Sequence, residues 1–218
     1  MPADDTLSPT PFLDAEHPRV QSWAQEQCAD ADDPKARAVR LFRAARDRIR
    51  YTVRADFTDP EGYRASATLA RGDGFCVPKS VLLAAAARAV GIPSRLHFAD
   101  LRNRLIPDDL RTAMRTDLFA FHGYVELQLD GHWWGMTPSF DLPTCERHGI
   151  VPVVFDGHSD ALLHPDDVNG RPQFEYVRDR GVRNDVPFEE ILAEIVRTYP
   201  HYDPDAWGRA FGEDEDGR

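Results

Sequence analysis

Of the three cysteines in the chain, Cys28, Cys76 and Cys145, Cys76 has the setting that covalent chemistry needs. It lies in "RGDGFCVPKSVLLAAAARAVGIPSR", between a turn broken by Gly72 and Gly74 and an alanine-rich apolar segment. Pro78 fits only the first turn of a helix. Leu82, Leu83, Ala86 and Val90 mark an apolar stripe, and Gly91 followed by Pro93 ends it. Cys76 is therefore expected at or just before a helix N-terminus. There the partial positive charge and the free N–H groups lower a thiol pKa and can bond a developing oxyanion. The competing reading is a buried thiol that only packs.

A thiol nucleophile needs a base, which can come from far along the chain. His122 is the candidate, because "HGYVELQLDGHWWGMTPSF" reads as a strand that it opens. Tyr124, Glu126 and Gln128 alternate with Val125, Leu127 and Leu129, and Asp130-Gly131 marks a hairpin turn. A hairpin sets the start of its first strand beside the end of its second. A group orienting the imidazole is thus expected between Thr137 and Asp141.

These residues need elements to hold them. The first dozen residues read as an arm. Helices are predicted in "HPRVQSWAQEQCADA", with Val20, Trp23 and Ala24 at helical spacing, and in "DPKARAVRLFRAARDRIRYTV", where Ala38, Leu41, Phe42, Ala45 and Ile49 share a face. Residues 56–63 read as a polar loop. "SRLHFADLRN", "VPVVF" and "FEYVRD" are strand candidates, and "PFEEILAEIVRTY" a last helix with Ile191, Leu192 and Ile195 inward. Helices, then strands, then a helix is an α+β order.

The chain has 218 residues and a net charge of −11, and the tail "GEDEDGR" supplies part of it. Such an acidic chain is a poor ligand for nucleic acid or anionic membranes, and the tail reads as solvated. The N-terminus has neither a basic nor an apolar signal region, and residues 81–90 are too short to span a bilayer. Three cysteines are too few for a disulfide framework, so a reducing cytoplasmic location is expected. Cys145 and His148 have metal-ligand spacing, with His132, His158 and His164 nearby in sequence. Without a second close pair they fall short of a zinc signature, and no metal or cofactor is expected. Cys145 is expected buried and inert in a short helical turn. Trp133 and Trp134 should face opposite sides of their strand. Arg48, Arg71 and Arg95 could receive a substrate carboxylate, but surface salt bridges are the expectation.

"GFCVPKSVLLAAAARAVGIPSR" followed by "HGYVELQLDGHWWGMTPS" resembles the transglutaminase-like superfamily, with "LFRAARDRIRYTV" similar to the helix that leads into its core. The resemblance spans roughly residues 34–141. It implies a papain-like α+β fold, with a cysteine-bearing helix packed against an antiparallel sheet. The division expected is residues 1–33 as arm and first helix, 34–148 as the core, and 149–218, outside the resemblance, as an extension packed on it, with one compact domain the default at this length. By the same resemblance Cys76 takes the nucleophile's place and His122 the general base's. The third position falls on Thr137, where the family has a carboxylate, and Asp141 is the preferred substitute. The implied activity is hydrolysis or transfer at a peptide or other amide through a thioester acyl-enzyme. A binding module that keeps the scaffold without the activity is the alternative. The extension is expected to cover the sheet rather than to edge the site.

Overall fold

The computed structural model describes residues 6–213. Residues 1–5 of the arm and 214–218 of the acidic tail lie outside the described residues. The chain runs α1 (Pro18–Cys28), α2 (Pro34–Asp47), β1 (Arg50–Tyr51), a 3₁₀ turn (Pro60–Tyr63), α3 (Ala65–Arg71), β2 (Asp73–Gly74), α4 (Cys76–Ala89) and β3 (Ser94–Asn103). It continues with α5 (Asp108–Met114), β4 (Leu118–Leu129), β5 (His132–Met136), α6 (Leu142–His148), β6 (Phe174–Arg183), α7 (Phe188–Thr198) and α8 (Pro204–Ala210).

Helix α4 is the centre of the molecule. Every residue from Val77 to Arg88 is buried, so the expected stripe is in fact a helix enclosed on all sides. Its alanines leave room for close neighbours, and α1, α2 and α3 pack on it opposite the sheet. A helix apolar around its whole circumference belongs in the interior. Its two interior cations are satisfied locally. The Lys79 ammonium donates to the carbonyls of Arg46 and Ile49 at the end of α2, and Arg88 donates to Ser94. Burial pushes Lys79 down to about 7, against the pull of Asp141 and Asp47.

The sheet has the order β5-β4-β3-β6 and is antiparallel throughout. The hairpin turns at Asp130 and Gly131, both at positive φ, with Leu129 opposite His132. Trp134 packs on the core, whereas Trp133 lies under the Arg95 guanidinium at 4.1 Å, so the pleat separates the two rings.

Four expectations need correction. "VPVVF" forms no strand; Phe155 is buried, but this stretch has no ladder partner. The polar loop contains a 3₁₀ turn with Tyr63 fully buried, its hydroxyl donating to Phe57 O. α7 is not the last helix, because α8 follows and buries Trp207. Glu213, inside the tail read as solvated, is buried and accepts from the Thr52 hydroxyl and the Val53 amide, at 2.8 Å each. The described part of the arm is also docked: Thr6 O accepts from the Ser94 amide, and Phe12 packs on the core.

Candidate active site

Cys76 is the first residue of α4. Gly72 ends α3 in the left-handed conformation (φ 76°), and Asp73-Gly74 then pair with Arg50-Tyr51. A Cβ at Gly74 would stand 3.1 Å from the Pro78 Cβ, so glycine lets the turn close on the helix without displacing Pro78. No side chain caps this helix N-terminus. Pro78 has no N–H, which leaves the amides of Cys76 and Val77 as the free donors of the first turn. These two and the Gly123 amide approach the Cys76 sulfur and favour thiolate, but burial outweighs them and pushes the thiol up to about 11.

His122 does not open its strand. It is the fifth residue of β4, which begins at Leu118. Immediately before it the ladder with β3 slips between Ala99 and Leu101, and Phe121 takes φ 53°. A bulky residue in that region is strained unless its neighbours hold it. Here Asp100 accepts from the Phe121 amide at 3.1 Å and pairs with Arg180, whose guanidinium lies 4.2 Å from the Phe121 ring centroid. A bulge re-aims the side chains beside it. The next residue, Gly123, admits the strand to the helix: a Cβ there would sit 3.2 Å from the Val77 Cα. Ser80 fastens this contact, its hydroxyl donating to Gly123 O at 3.0 Å. His122 and Cys76 thus line the same cavities from two elements that pack closely at Gly123.

The imidazole is 3 % exposed, and burial alone holds its pKa down to about 4. Its Nε2 meets the Thr137 hydroxyl at 3.4 Å, and Thr137 is linked to Ser139 at 2.8 Å. The preference for Asp141 is thus corrected. Asp141 caps α6: Oδ1 accepts from the Thr144 amide at 2.8 Å and Oδ2 from the Tyr51 amide at 2.6 Å. The physical reason is that β5 ends at Met136, so by Asp141 the chain has already left the sheet and is starting "LPTCERH" as a helix. An aspartate just ahead of a helix bonds its first amides.

Two cavities, each about 500 Å³ with its solvent-open space included, meet at Cys76, His122, Tyr51 and Phe119. The first is walled by Leu101, Phe140 and Phe174, with Asn103, Ser139, His148 and Gln173 as further polar groups. The second is walled by Phe57, Phe75, Ile191, Ile195 and Trp207. Gln173, Phe174, Ile191, Ile195 and Trp207 all come from the segment expected only to cover the sheet, which instead walls both cavities. No motif signalled them, because they approach Cys76 only through tertiary packing. Asp156, His158 and Asp160 line neither cavity, and the Asp160 carboxylate accepts from the Gly135 amide. Cys145 is buried in α6. Among the described residues no group of three or more His, Cys, Asp or Glu could hold a metal ion, and no helix is long and apolar enough to cross a membrane. Arg48 faces Glu26 at 3.8 Å, Arg71 faces Asp73 at 3.5 Å, and Arg95 pairs with Glu126.

This arrangement can be set beside known proteins. The chain is similar in fold to the crystal structure of a proposed cysteine protease from Cytophaga hutchinsonii, at 16% identity and a TM-score of 0.50, over 85% of this chain and 48% of that one. It thus spans about half the length of that protein, and at this identity the likeness is one of fold. No protein of curated function matches the sequence. The family model described as transglutaminase-like superfamily matches residues 21–138, starting inside α1 and ending just past Thr137. That match takes in the cysteine helix, both central strands and the hairpin over more than half of the chain, which belongs to the transglutaminase-like superfamily.

Proposed function

We propose that this chain is a cysteine-dependent amidase or acyl transferase, acting preferentially as a hydrolase, with Cys76 as nucleophile, His122 as general base and Thr137 as the group that orients the imidazole. The observation that carries this reading is the meeting of both cavities at Cys76 and His122, with His122 Nε2 already engaged by Thr137. Nδ1 is then the nitrogen left for the thiol proton. With the thiol held up to about 11 and the imidazole down to about 4, the resting pair is neutral. Proton transfer therefore accompanies attack, as general-base catalysis.

In the first step the sulfur bonds to the amide carbonyl carbon and its proton passes to His122. The free amides at the start of α4 are the donors available to the oxyanion. His122 then gives the proton to the leaving nitrogen as the C–N bond breaks, which leaves a thioester on Cys76. Water, deprotonated by His122, adds to the thioester and releases the acid and the thiol. An amine in place of water would complete a transamidation.

Limiting iodoacetamide near neutral pH, followed by mapping of the adducts, tests the pair. Cys76 should be alkylated ahead of Cys28 and Cys145, which are both buried, and should lose that advantage in His122→Ala. Labelling that ignores the histidine would leave a binding module that has kept the scaffold.

A further inference from the structure

Away from the cavities, one histidine ties three strands together. The Nδ1 of His97, on β3, lies 2.7 Å from Glu126 Oε1 on β4, and its Nε2 lies 2.7 Å from Asp179 Oδ1 on β6. An ionised carboxylate only accepts, so both ring nitrogens donate and the ring is an imidazolium. The ring stacks on Tyr124, with centroids 4.5 Å apart, and Arg95 pairs with the other Glu126 oxygen. Asp160, from the segment after α6, adds a negative charge near Tyr124. Against burial, which lowers it, the two carboxylates hold the His97 pKa above its ordinary value.

Asp179 stands where β6 leaves regular pairing. Phe98 is opposite Gly181 and Ala99 is opposite Asp179, so Arg180 is an extra residue in the ladder. Such a bulge re-aims the side chain it carries. Gly181 takes φ 80° and its amide donates to Asp179 Oδ1, which closes the bulge on the carboxylate that His97 holds. The Arg180 guanidinium is thereby set against Asp100, the acceptor of the Phe121 amide next to His122. It also meets Glu194 of α7 at 3.1 Å. A ring that has lost one proton can donate to only one of its two carboxylates. Glu126 is largely buried and keeps Arg95, whereas Asp179 is 73 % exposed and can turn to water. A buried carboxylate is the costlier one to leave unpaired, so Nε2 loses the proton and the contact to Asp179 opens.

Given the catalytic reading of Cys76 and His122, on which this inference rests, we propose that His97 is a positioning residue for the reaction. Its imidazolium holds Asp179 and with it the Arg180 bulge, which aims His122 through Asp100 and Phe121. The contact is fully made below the ordinary histidine pKa and is lost as the pH rises through the higher value of the folded protein.

Nitrogen NMR of the intact, histidine-labelled protein should give His97 a pKa above 6.5, and the His122 ring signals should shift with the same midpoint. In Asp100→Leu, His97 should still titrate while the His122 response disappears, because the connection is cut. His97→Gln does not titrate. At pH 6 its Cys76 should react with iodoacetamide at least about tenfold more slowly than in the parent, the scale of a small misplacement of a catalytic group. Above the His97 midpoint the two rates should converge, and Asp179→Asn should reproduce both results. A difference between His97→Gln and the parent that is constant with pH would make His97 a structural residue and overturn the proposal. So would equal rates at pH 6 while alkylation still depends on His122, a His97 pKa at or below the ordinary value, or His122 signals that ignore the His97 titration. Alkylation that never depends on His122, beside His122 signals that still follow His97, removes the catalytic reading and keeps the connection between the two rings.

Discussion

Replacing Thr137 by aspartate should convert the neutral pair at the site into a more reactive one. In the parent, His122 is held down to about 4 by burial, against an ordinary value near 6.5. At about 1.4 kcal/mol per pH unit, imidazolium is disfavoured there by roughly 3 kcal/mol. With Cys76 held up to about 11, roughly one molecule in ten thousand carries thiolate at pH 7. Thr137 meets Nε2 at 3.4 Å and can offer only a hydroxyl oxygen. A carboxylate in its place would face the imidazole directly, and Ser139, 2.8 Å from the present hydroxyl, could donate to it. An opposite charge in contact raises a histidine pKa by about 1–3, so the ion pair should become about ten to a thousand times more populated. The assay is the rate of iodoacetamide addition to Cys76 as a function of pH, read by mass spectrometry. Thr137→Asn serves as the uncharged control that orients without charge. The aspartate variant should react faster in the acid range, at and below about pH 5, where the ion pair outnumbers free thiolate, and so move its profile toward acid, while the asparagine variant stays near the parent. Thr137 is 1 % exposed, so the buried carboxylate should also lower the melting temperature. A folded aspartate variant whose profile matches that of the asparagine variant, or moves toward alkali, would refute the electrostatic reasoning.

Two further outcomes follow from the same geometry. The folded-state pKa of His122 lies below its unfolded value, so the unfolded chain takes up that proton first as the pH falls. This residue should therefore withdraw about 3 kcal/mol of stability between roughly pH 6.5 and pH 4, and nothing more below that. Denaturant unfolding of the parent and of His122→Gln across this range should show the difference, and identical acid profiles would contradict the buried, neutral imidazole. Asp100→Leu removes the acceptor that holds Phe121 in its left-handed conformation. Alkylation of Cys76 should then become at least about tenfold less dependent on His122, since small misplacements of a catalytic group cost that much, and unchanged dependence would show that the bulge does not aim the ring.

Local signals in the sequence determined where the candidate thiol could stand. Gly72 and Gly74 break the chain, Pro78 tolerates only a first turn, and Gly91 stops the helix, so α4 had to start near Cys76. The Asp130-Gly131 turn and the alternation around it likewise fixed the β4–β5 hairpin. Those features depend on neighbours along the chain. What His122 touches does not. A hairpin register brings both Thr137 and Asp141 into the right neighbourhood. The choice between them fell to the end of β5 at Met136 and to the amides of Tyr51 and Thr144, which claim the Asp141 carboxylate. The bulge at Phe121 was equally hidden, because it answers to Asp100 and Arg180 on two other strands. The same holds for the cavity walls: Gln173 and Trp207 carry no pattern of their own, and only packing around α4 and the sheet brings them beside Cys76.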